Sequence, residues 1–251
     1  MDRDEELFIK RIKELAYQAD TRGHTTLTGF LNLNEYNLFL NHLKELPNTS
    51  YNFWGGYEGA DRKRLAFYQT EDILADEYNI SIIKIRPNNA KFADNLTHRD
   101  FLGALVNLGI DRSKLGDILI KDNIGYLFSE GTISSYIVDS LTKIKHTNVT
   151  CIPLQLEEID ITPSYQEIKG TISSNRLDAI LALALRSSRS SITGLIAGGK
   201  VFINSRLVTQ NSTILRENDI ISVRGHGKYI YCGITSQTKK GRLCATILQY
   251  I

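Results

Sequence analysis

Between residues 80 and 153 the sequence keeps a rhythm that leaves few ways to fold. Ile80 to Ile85 is a short apolar run of strand length, Arg99 to Leu108 has helical spacing, and Asp117 to Ile120 and Gly125 to Phe128 are two more strands. Ile133 to Ile144 is helical again and Val149 to Pro153 closes the series as a strand. The Asp122-Asn123 pair between the two central runs supplies turn chemistry. The predicted order is therefore strand, helix, strand, strand, helix, strand.

That order is the ferredoxin-like split βαβ unit, which RRM domains share. The architecture does not fix a function. An RNA-binding RRM stacks bases on aromatic residues of its two central strands. Tyr126 and Phe128 alternate on the third strand, but the basic and glycine-rich surroundings of that signature are missing, so core or packing aromatics are the plainer reading. Thr97 is placed to cap the first helix, which His98-Arg99-Asp100 open. The same triplet occurs in kinase catalytic loops, yet nothing else of a kinase is present, which leaves an exposed polar contact surface. Gly103, Gly109 and Gly116 suggest close packing of helix on sheet, or a partner contact.

Upstream, Leu7, Ile9, Ile12, Leu15 and Ala16 recur at helical spacing and predict an amphipathic helix ending near Gly23. Leu27 to Leu33 reads as a strand, Asn34 as the cap of a helix through Leu46, and Tyr51 to Tyr57 and Leu65 to Gln69 as strands. From Gln155 to Ser174 the periodicity fails at Glu157-Glu158, Pro163 and Gly170. The expected organisation is an N-terminal α+β domain over residues 1–75, an RRM-like middle domain over 76–155, a linker over 156–172 and a C-terminal domain over 173–251. The fold class is α+β.

No stretch approaches the roughly 20 consecutive apolar residues of a membrane span, and Met1-Asp2-Arg3-Asp4-Glu5-Glu6 is too charged for a signal peptide, so a cytoplasmic protein is expected. Cys151, Cys232 and Cys244 are scattered through apolar, strand-like sequence and read as buried thiols. The five histidines are unclustered and no loop ends in Gly-Lys-Ser/Thr, so neither a metal site nor a cofactor is expected.

The net charge of +2 hides an asymmetry. Residues 1–170 carry 19 Lys and Arg against 25 Asp and Glu, whereas residues 171–251 carry 11 against 3. A small module with almost no acids fits the displacement of counterions from a polyanion's phosphates. Within it, Ser173 or Ser174 caps a helix with Leu177, Ile180, Leu181, Ala184 and Leu185 on one face. Ser188-Arg189-Ser190 supplies a break and the cap of a second helix, with Ile192, Leu195 and Ile196 inward until Gly198-Gly199. Strands follow at Lys200 to Ile203 and Asp219 to Arg224, and a hairpin of Tyr229 to Thr235 and Leu243 to Tyr250 has a basic tip, Lys239-Lys240-Gly241-Arg242.

Arg176-Leu177-Asp178, Ser188-Arg189-Ser190, Gly199-Lys200-Val201, Asn204, and Asp219 with Val223-Arg224-Gly225 resemble, in this order, the signature of the S4 domain of ribosomal and tRNA-handling proteins. Ser205 stands where that family commonly has glycine, and Asn218 where glycine usually precedes the aspartate. The rest of the chain carries Trp54-Gly55-Gly56-Tyr57, Asp61-Arg62-Lys63-Arg64, His98 to Leu105, Leu108 to Arg112 and Leu115 to Ile118, and with these it is similar to the bacterial YlmH family over essentially all 251 residues. The resemblance implies a cytoplasmic, ribosome-associated protein that binds rRNA and tRNA on the large ribosomal subunit carrying a stalled peptidyl-tRNA, in ribosome-associated quality control.

The bases for RNA contact are Arg176, Arg189, Lys200 and Arg206, with Arg224, Lys228, Lys239, Lys240 and Arg242 as a second ring. Ser188, Ser190 and Asn204 complete the candidate site, while Asp178 reads as structural beside an arginine. No catalytic residue is expected. The rival readings are an RNA-modifying enzyme, since Asn175-Arg176-Leu177-Asp178 superficially matches pseudouridine synthases, a tRNA-processing enzyme, and a cell-division-linked interaction protein. A monomer is expected, with a protein partner meeting the acidic N-terminal domains.

Overall fold

The computed structural model describes residues 3–69, 73–155 and 165–250. It divides into two compact units, Met1–Ile161 and Thr162–Ile251.

The first unit opens with helix α1, Arg3–Arg22, whose first turn carries Asp4, Glu5 and Glu6 and whose last carries Arg22, each sign complementing the helix dipole. It buries Ile9, Ile12, Leu15, Ala16 and Ala19 and stops at Gly23, where φ is +67°. Strands β1 (Thr26–Leu31), β2 (Ser50–Trp54) and β3 (Lys63–Tyr68) form an antiparallel sheet in the order β1-β3-β2. Helix α2, Leu33–His42, is capped by Asn32 and not by Asn34, because β1 ends two residues earlier than the apolar run does. Asn32 Oδ1 accepts from the Asn34 and Glu35 amides at 2.8 and 3.1 Å, and Glu35 Oε2 accepts from the Asn32 amide at 2.7 Å. Phe39, Leu65 and Phe67 pack with α1 to make this core.

The predicted rhythm follows as β4 (Ile80–Pro87), α3 (His98–Asn107), β5 (Leu115–Lys121), β6 (Ile124–Glu130), α4 (Ser134–Ser140), β7 (Lys143–Ile144) and β8 (Thr147–Leu154). The sheet order is β5-β6-β4-β8-β7 with antiparallel neighbours, so the four principal strands run in the ferredoxin-like order. Asp122 and Asn123 turn the central hairpin at φ +51° and +62°, as their tolerance of a left-handed backbone predicts. Asp100 accepts from the Thr97 amide at 2.8 Å and the Thr97 hydroxyl at 2.7 Å, which fixes the start of α3.

Two expectations change here. The second helix ends at Ser140, and Lys143–Ile144 instead pairs with β8. Ile144 is buried in this strand, and its apolar spacing fits a buried helix face equally well. A Cβ at Gly103 or Gly109 would meet nothing within 4 Å, so neither glycine serves close packing, whereas one at Gly116 would lie 2.7 Å from the Phe30 ring.

The loop after β2 lies over part of this sheet. Asp117 accepts from Tyr57 Oη at 2.8 Å and from the Asp61 and Arg62 amides at 2.7 and 3.1 Å. Burial pushes the Asp117 carboxyl above its usual range, and those donors partly offset the shift. The Arg62 guanidinium donates to the carbonyls of Leu115, Phe30 and Arg112. Phe128 lies beneath, fully buried, with the Tyr57 ring 4.9 Å away.

In the second unit, β9 is Tyr165–Ile172, α5 Leu177–Ala184, α6 Arg189–Ala197, β10 Val201–Ile203, β11 Arg206–Leu207, β12 Ile220–Val223, β13 Gly227–Gln237 and β14 Leu243–Tyr250. Among the described residues the strands form one antiparallel sheet in the order β11-β10-β12-β13-β14-β9. Leu177, Ile180, Leu181, Ile192 and Ile196 bury one face of it together with Val201, Ile221, Val223, Tyr229, Tyr231 and Ile247.

Part of the expected linker is therefore a strand: β9 pairs with β14 along its whole length, from Tyr165↔Tyr250 to Ile172↔Leu243. Glu157, Glu158 and Pro163 lie outside the described residues. The cap of α5 is Arg176 rather than Ser173 or Ser174. All three cysteines are free, but only Cys151 is buried; Cys232 and Cys244 are half-buried on the sheet face away from the helices.

Candidate nucleic-acid interface

The basic residues of the second unit are positioned mainly by the ends of α6 and the turns of the sheet. Arg186, at φ +48°, breaks the chain between α5 and α6, and Ser188 then caps α6 by accepting from the Ser191 amide at 3.3 Å. Ser188 and Ser190 share a hydroxyl contact at 2.9 Å, so both serines shape the helix start. Arg189 is the exposed first residue of α6 and its Nη2 donates to Ser173 Oγ. Two residues back along the same stretch, the Thr171 carbonyl accepts from Arg242 Nη2 at 2.9 Å. One group of cations thus gathers around Thr171 to Ser173: Arg189 and Arg242, with Lys239 and Lys240 exposed in the adjoining hairpin tip.

A second group forms at the other end of α6, which spans nine residues or about 13 Å. Gly199, at φ +65°, releases the chain into Lys200, whose carbonyl accepts from the Arg224 amide at 2.9 Å. Arg224 lies 5.4 Å over the Phe202 ring. Lys228 pairs across from Ser222, two residues before Arg224, and its ammonium stands 5.0 Å over Tyr250. Tyr165 meets Tyr250 edge-on at 5.0 Å. Arg189 and Lys200 therefore stand at opposite ends of a helix.

Two further candidate residues are tied into the framework. Arg176 grips Asp178 through Nε and Nη2 at 3.1 and 3.2 Å, leaving its side chain 42% exposed. Asn204 donates to Asp219 and accepts from the Ile220 amide, and thereby holds the turn that presents the exposed Arg206. Asp178, Asp219 and Glu167 are each engaged internally, by Arg176, by Asn204 with the Arg216 amide, and by Lys169. These three carboxylates are paired, Glu217 is exposed, and Arg189, Lys200, Arg206, Arg224, Lys239, Lys240 and Arg242 face solvent.

Arg186 and the rings beneath Arg224 and Lys228 are not among the residues expected at the site, and Ser173, expected as a helix cap, instead accepts from Arg189. The exposed Arg186 could have been found, since it stands three residues before Arg189 in a serine-rich break. The rings could not, because only strand register brings Tyr250 to Lys228. The aspartate of Asn175-Arg176-Leu177-Asp178 is 7% exposed and saturated by Arg176 and the Ala179 amide, which does not suit a nucleophile. Gly225-His226-Gly227 is a turn with both glycines at positive φ. Among the described residues no group of His, Cys, Asp and Glu could hold a metal ion, and no helix is long and apolar enough to cross a membrane.

Comparison with known families matches residues 4–72 to the N-terminal domain of YlmH, residues 74–158 to a putative RNA-binding domain in YlmH, and residues 175–221 to the S4 domain. The chain is 30% identical over 244 residues to the ribosome-associated protein quality control protein P2 of Bacillus subtilis (strain 168), covering 96% of this chain and 93% of that one. It is 36% identical over 64 residues to an uncharacterised RNA pseudouridine synthase of Mycoplasma genitalium, of which it spans only 21%. Among solved structures, the cell division protein ylmH from Streptococcus pneumoniae aligns with a TM-score of 0.52 and 22% identity over 64% of this chain and 97% of that one, a likeness of fold.

Proposed function

We propose, because the chain belongs to the YlmH family of S4-domain proteins, that it is a non-enzymatic, cytoplasmic RNA-binding factor acting as a monomer on the ribosome. Its second unit docks on structured rRNA or tRNA of the large subunit, in a quality-control role like the one named for the Bacillus subtilis relative, with stalled peptidyl-tRNA on the same particle. The acidic first unit offers a surface for a protein partner.

The observation that carries this reading is the division of labour between charges in the second unit. Three of its four carboxylates, Glu167, Asp178 and Asp219, are engaged by neighbours and Glu217 is exposed, while its cations project at both ends of α6. Two cationic groups about a helix length apart suit a folded RNA, where phosphates of both flanking strands lie within reach. Rings beneath Arg224 and Lys228 hold those side chains at lower entropy cost than free lysines would carry. No cofactor is required, since phosphate contact is direct.

The test is binding to purified large ribosomal subunits across a salt series for the wild type, Arg189→Ala and Lys200→Ala. Each substitution should weaken binding and reduce the slope of log affinity against log salt by about 0.7–0.9, one phosphate contact each. Unchanged affinity and slope in both variants would refute the assigned surface.

A further inference from the structure

We infer that the uncovered half of the β5-β6-β4-β8 sheet in the first unit is a binding site for single-stranded RNA, which seats one base on Tyr126. Alternation along the strands places Tyr126 beside Lys84 on β4 and Leu119 on β5, with Ile152 on the far side of Lys84. Arg86 and Lys121 stand exposed at the end of the same face. Three cations thus surround one half-exposed ring, and none of the described strand residues on this half is acidic; Asp122 lies beyond them in the hairpin turn. In a 170-residue stretch whose acids outnumber its bases 25 to 19, such a patch runs against the local charge. An acidic or neutral protein surface would not need the ring, and a duplex could not reach it.

The other half of the face is closed. The loop that follows β2 crosses it, with Gly56 at φ +98° placed so near Phe128 that a Cβ there would lie 2.5 Å from the ring, and Asp117 and Arg62 hold the loop down. Phe128, the second aromatic of the alternating pair, is unavailable to a ligand. A sheet of this topology with two exposed rings stacks two or three bases. This one has room for a single base, flanked by phosphates on Lys84, Arg86 and Lys121. At the end of the sheet near Arg86, Phe92 is 78% exposed in the loop that Asp94 and Leu96 tie to Asn123 of the central turn. That ring gives the strand a place to continue. This site shares no residue with the second unit, so it stands or falls separately from the large-subunit docking.

The test uses the full chain and a fluorescein-labelled hexauridylate read by anisotropy. Tyr126→Leu, which keeps the apolar packing, should weaken binding about tenfold, in the range of one lost base-aromatic stack, while Tyr126→Phe should bind as the wild type does. Lys84→Gln with Lys121→Gln should weaken binding and flatten its salt dependence. If Tyr126→Leu binds like the wild type, or if Arg189→Ala and Lys200→Ala alone abolish hexamer binding, the inference is overturned whatever becomes of the docking surface. Should Tyr126→Leu not fold, a hexamer carrying 4-thiouridine is crosslinked to the wild type. Adducts within residues 124–130 support the site, and adducts confined to residues 165–250 overturn it.

Discussion

Asn204 donates from Nδ2 to Asp219 Oδ1 at 2.8 Å, and so one turn of the second unit is locked against the start of the strand that pairs beneath it. Asp219 also accepts from the Arg216 amide at 2.7 Å, and Asn204 from the Ile220 amide at 2.9 Å. Asn204→Ala and Asp219→Ala should each destabilise the second unit by about 1–3 kcal/mol, and the double variant should cost less than their sum. Urea denaturation of the four proteins reads the coupling. Asn204→Ala should weaken RNA binding only as far as it unfolds the turn, unlike Arg206→Ala.

Ser205 sits at φ +65° and Asn218 at φ +70°, the two positions where the sequence departs from the family's glycines. An L-residue in that region carries a steric cost of about 1 kcal/mol, which asparagine feels less than serine. Ser205→Gly should therefore raise the melting temperature of the second unit by a few degrees, and Asn218→Gly by less. Differential scanning calorimetry decides; a fall with Ser205→Gly would show that the hydroxyl matters more than the backbone.

In the first unit Lys145, then Thr97, hold the Asp100 carboxyl down at about 2, against an ordinary 3.8. A carboxylate depressed by folding lends stability that is complete above 3.8 and lost as pH falls from there toward 2. Asp117 has the opposite sign, since burial raises it and its ionised form opposes folding. Asp100→Asn should flatten the acid limb of first-unit stability between pH 4 and 2 and leave the curve above pH 5 parallel to that of the wild type. Circular-dichroism melts at a series of pH values measure this.

Burial pushes the Cys151 thiol up to about 11, and its Sγ rests 3.4 Å from the Leu141 carbonyl. Iodoacetamide at pH 8 should modify Cys244 well before Cys151, which reacts only after unfolding. Peptide mass mapping over time gives the order. Early labelling of Cys151 would contradict the packing of β8 against α4.

The parts of this molecule that the sequence made legible are those where a periodic apolar pattern has one structural solution. The split βαβ rhythm is such a case, because Ile83, Ile85, Leu127 and Cys151 must all face the same two helices. The S4 resemblance lay in separated polar and glycine positions, and several of them turn out to hold the framework: Asn204, Asp178 and Ser188 bind protein atoms. β9 escaped because an edge strand with Glu167 and Lys169 facing solvent shows weak alternation, so that Gly170 reads as a break. In the sheet Gly170 is required, since a Cβ there would meet Leu183 at 2.4 Å. The spread of the basic groups escaped for a different reason: residue spacing gives the length of α6 but not which turns return to its two ends. The closing of Phe128 depends on a loop some seventy residues earlier in the chain and leaves no local mark.

The pairing of β9 with β14 has a consequence for how the protein is made. Thr171 and Arg242 are 71 positions apart, and every residue that pairs with β9 in the sheet lies at least as far downstream. During vectorial synthesis β9 emerges first and waits, unpaired, while the rest of the unit is translated. Contacts of such high sequence separation form late. A nascent strand left open in this way is exposed to association with its neighbours on a polysome, and the charges of Glu167 and Lys169 on its outward face act as its guard until the last strand arrives.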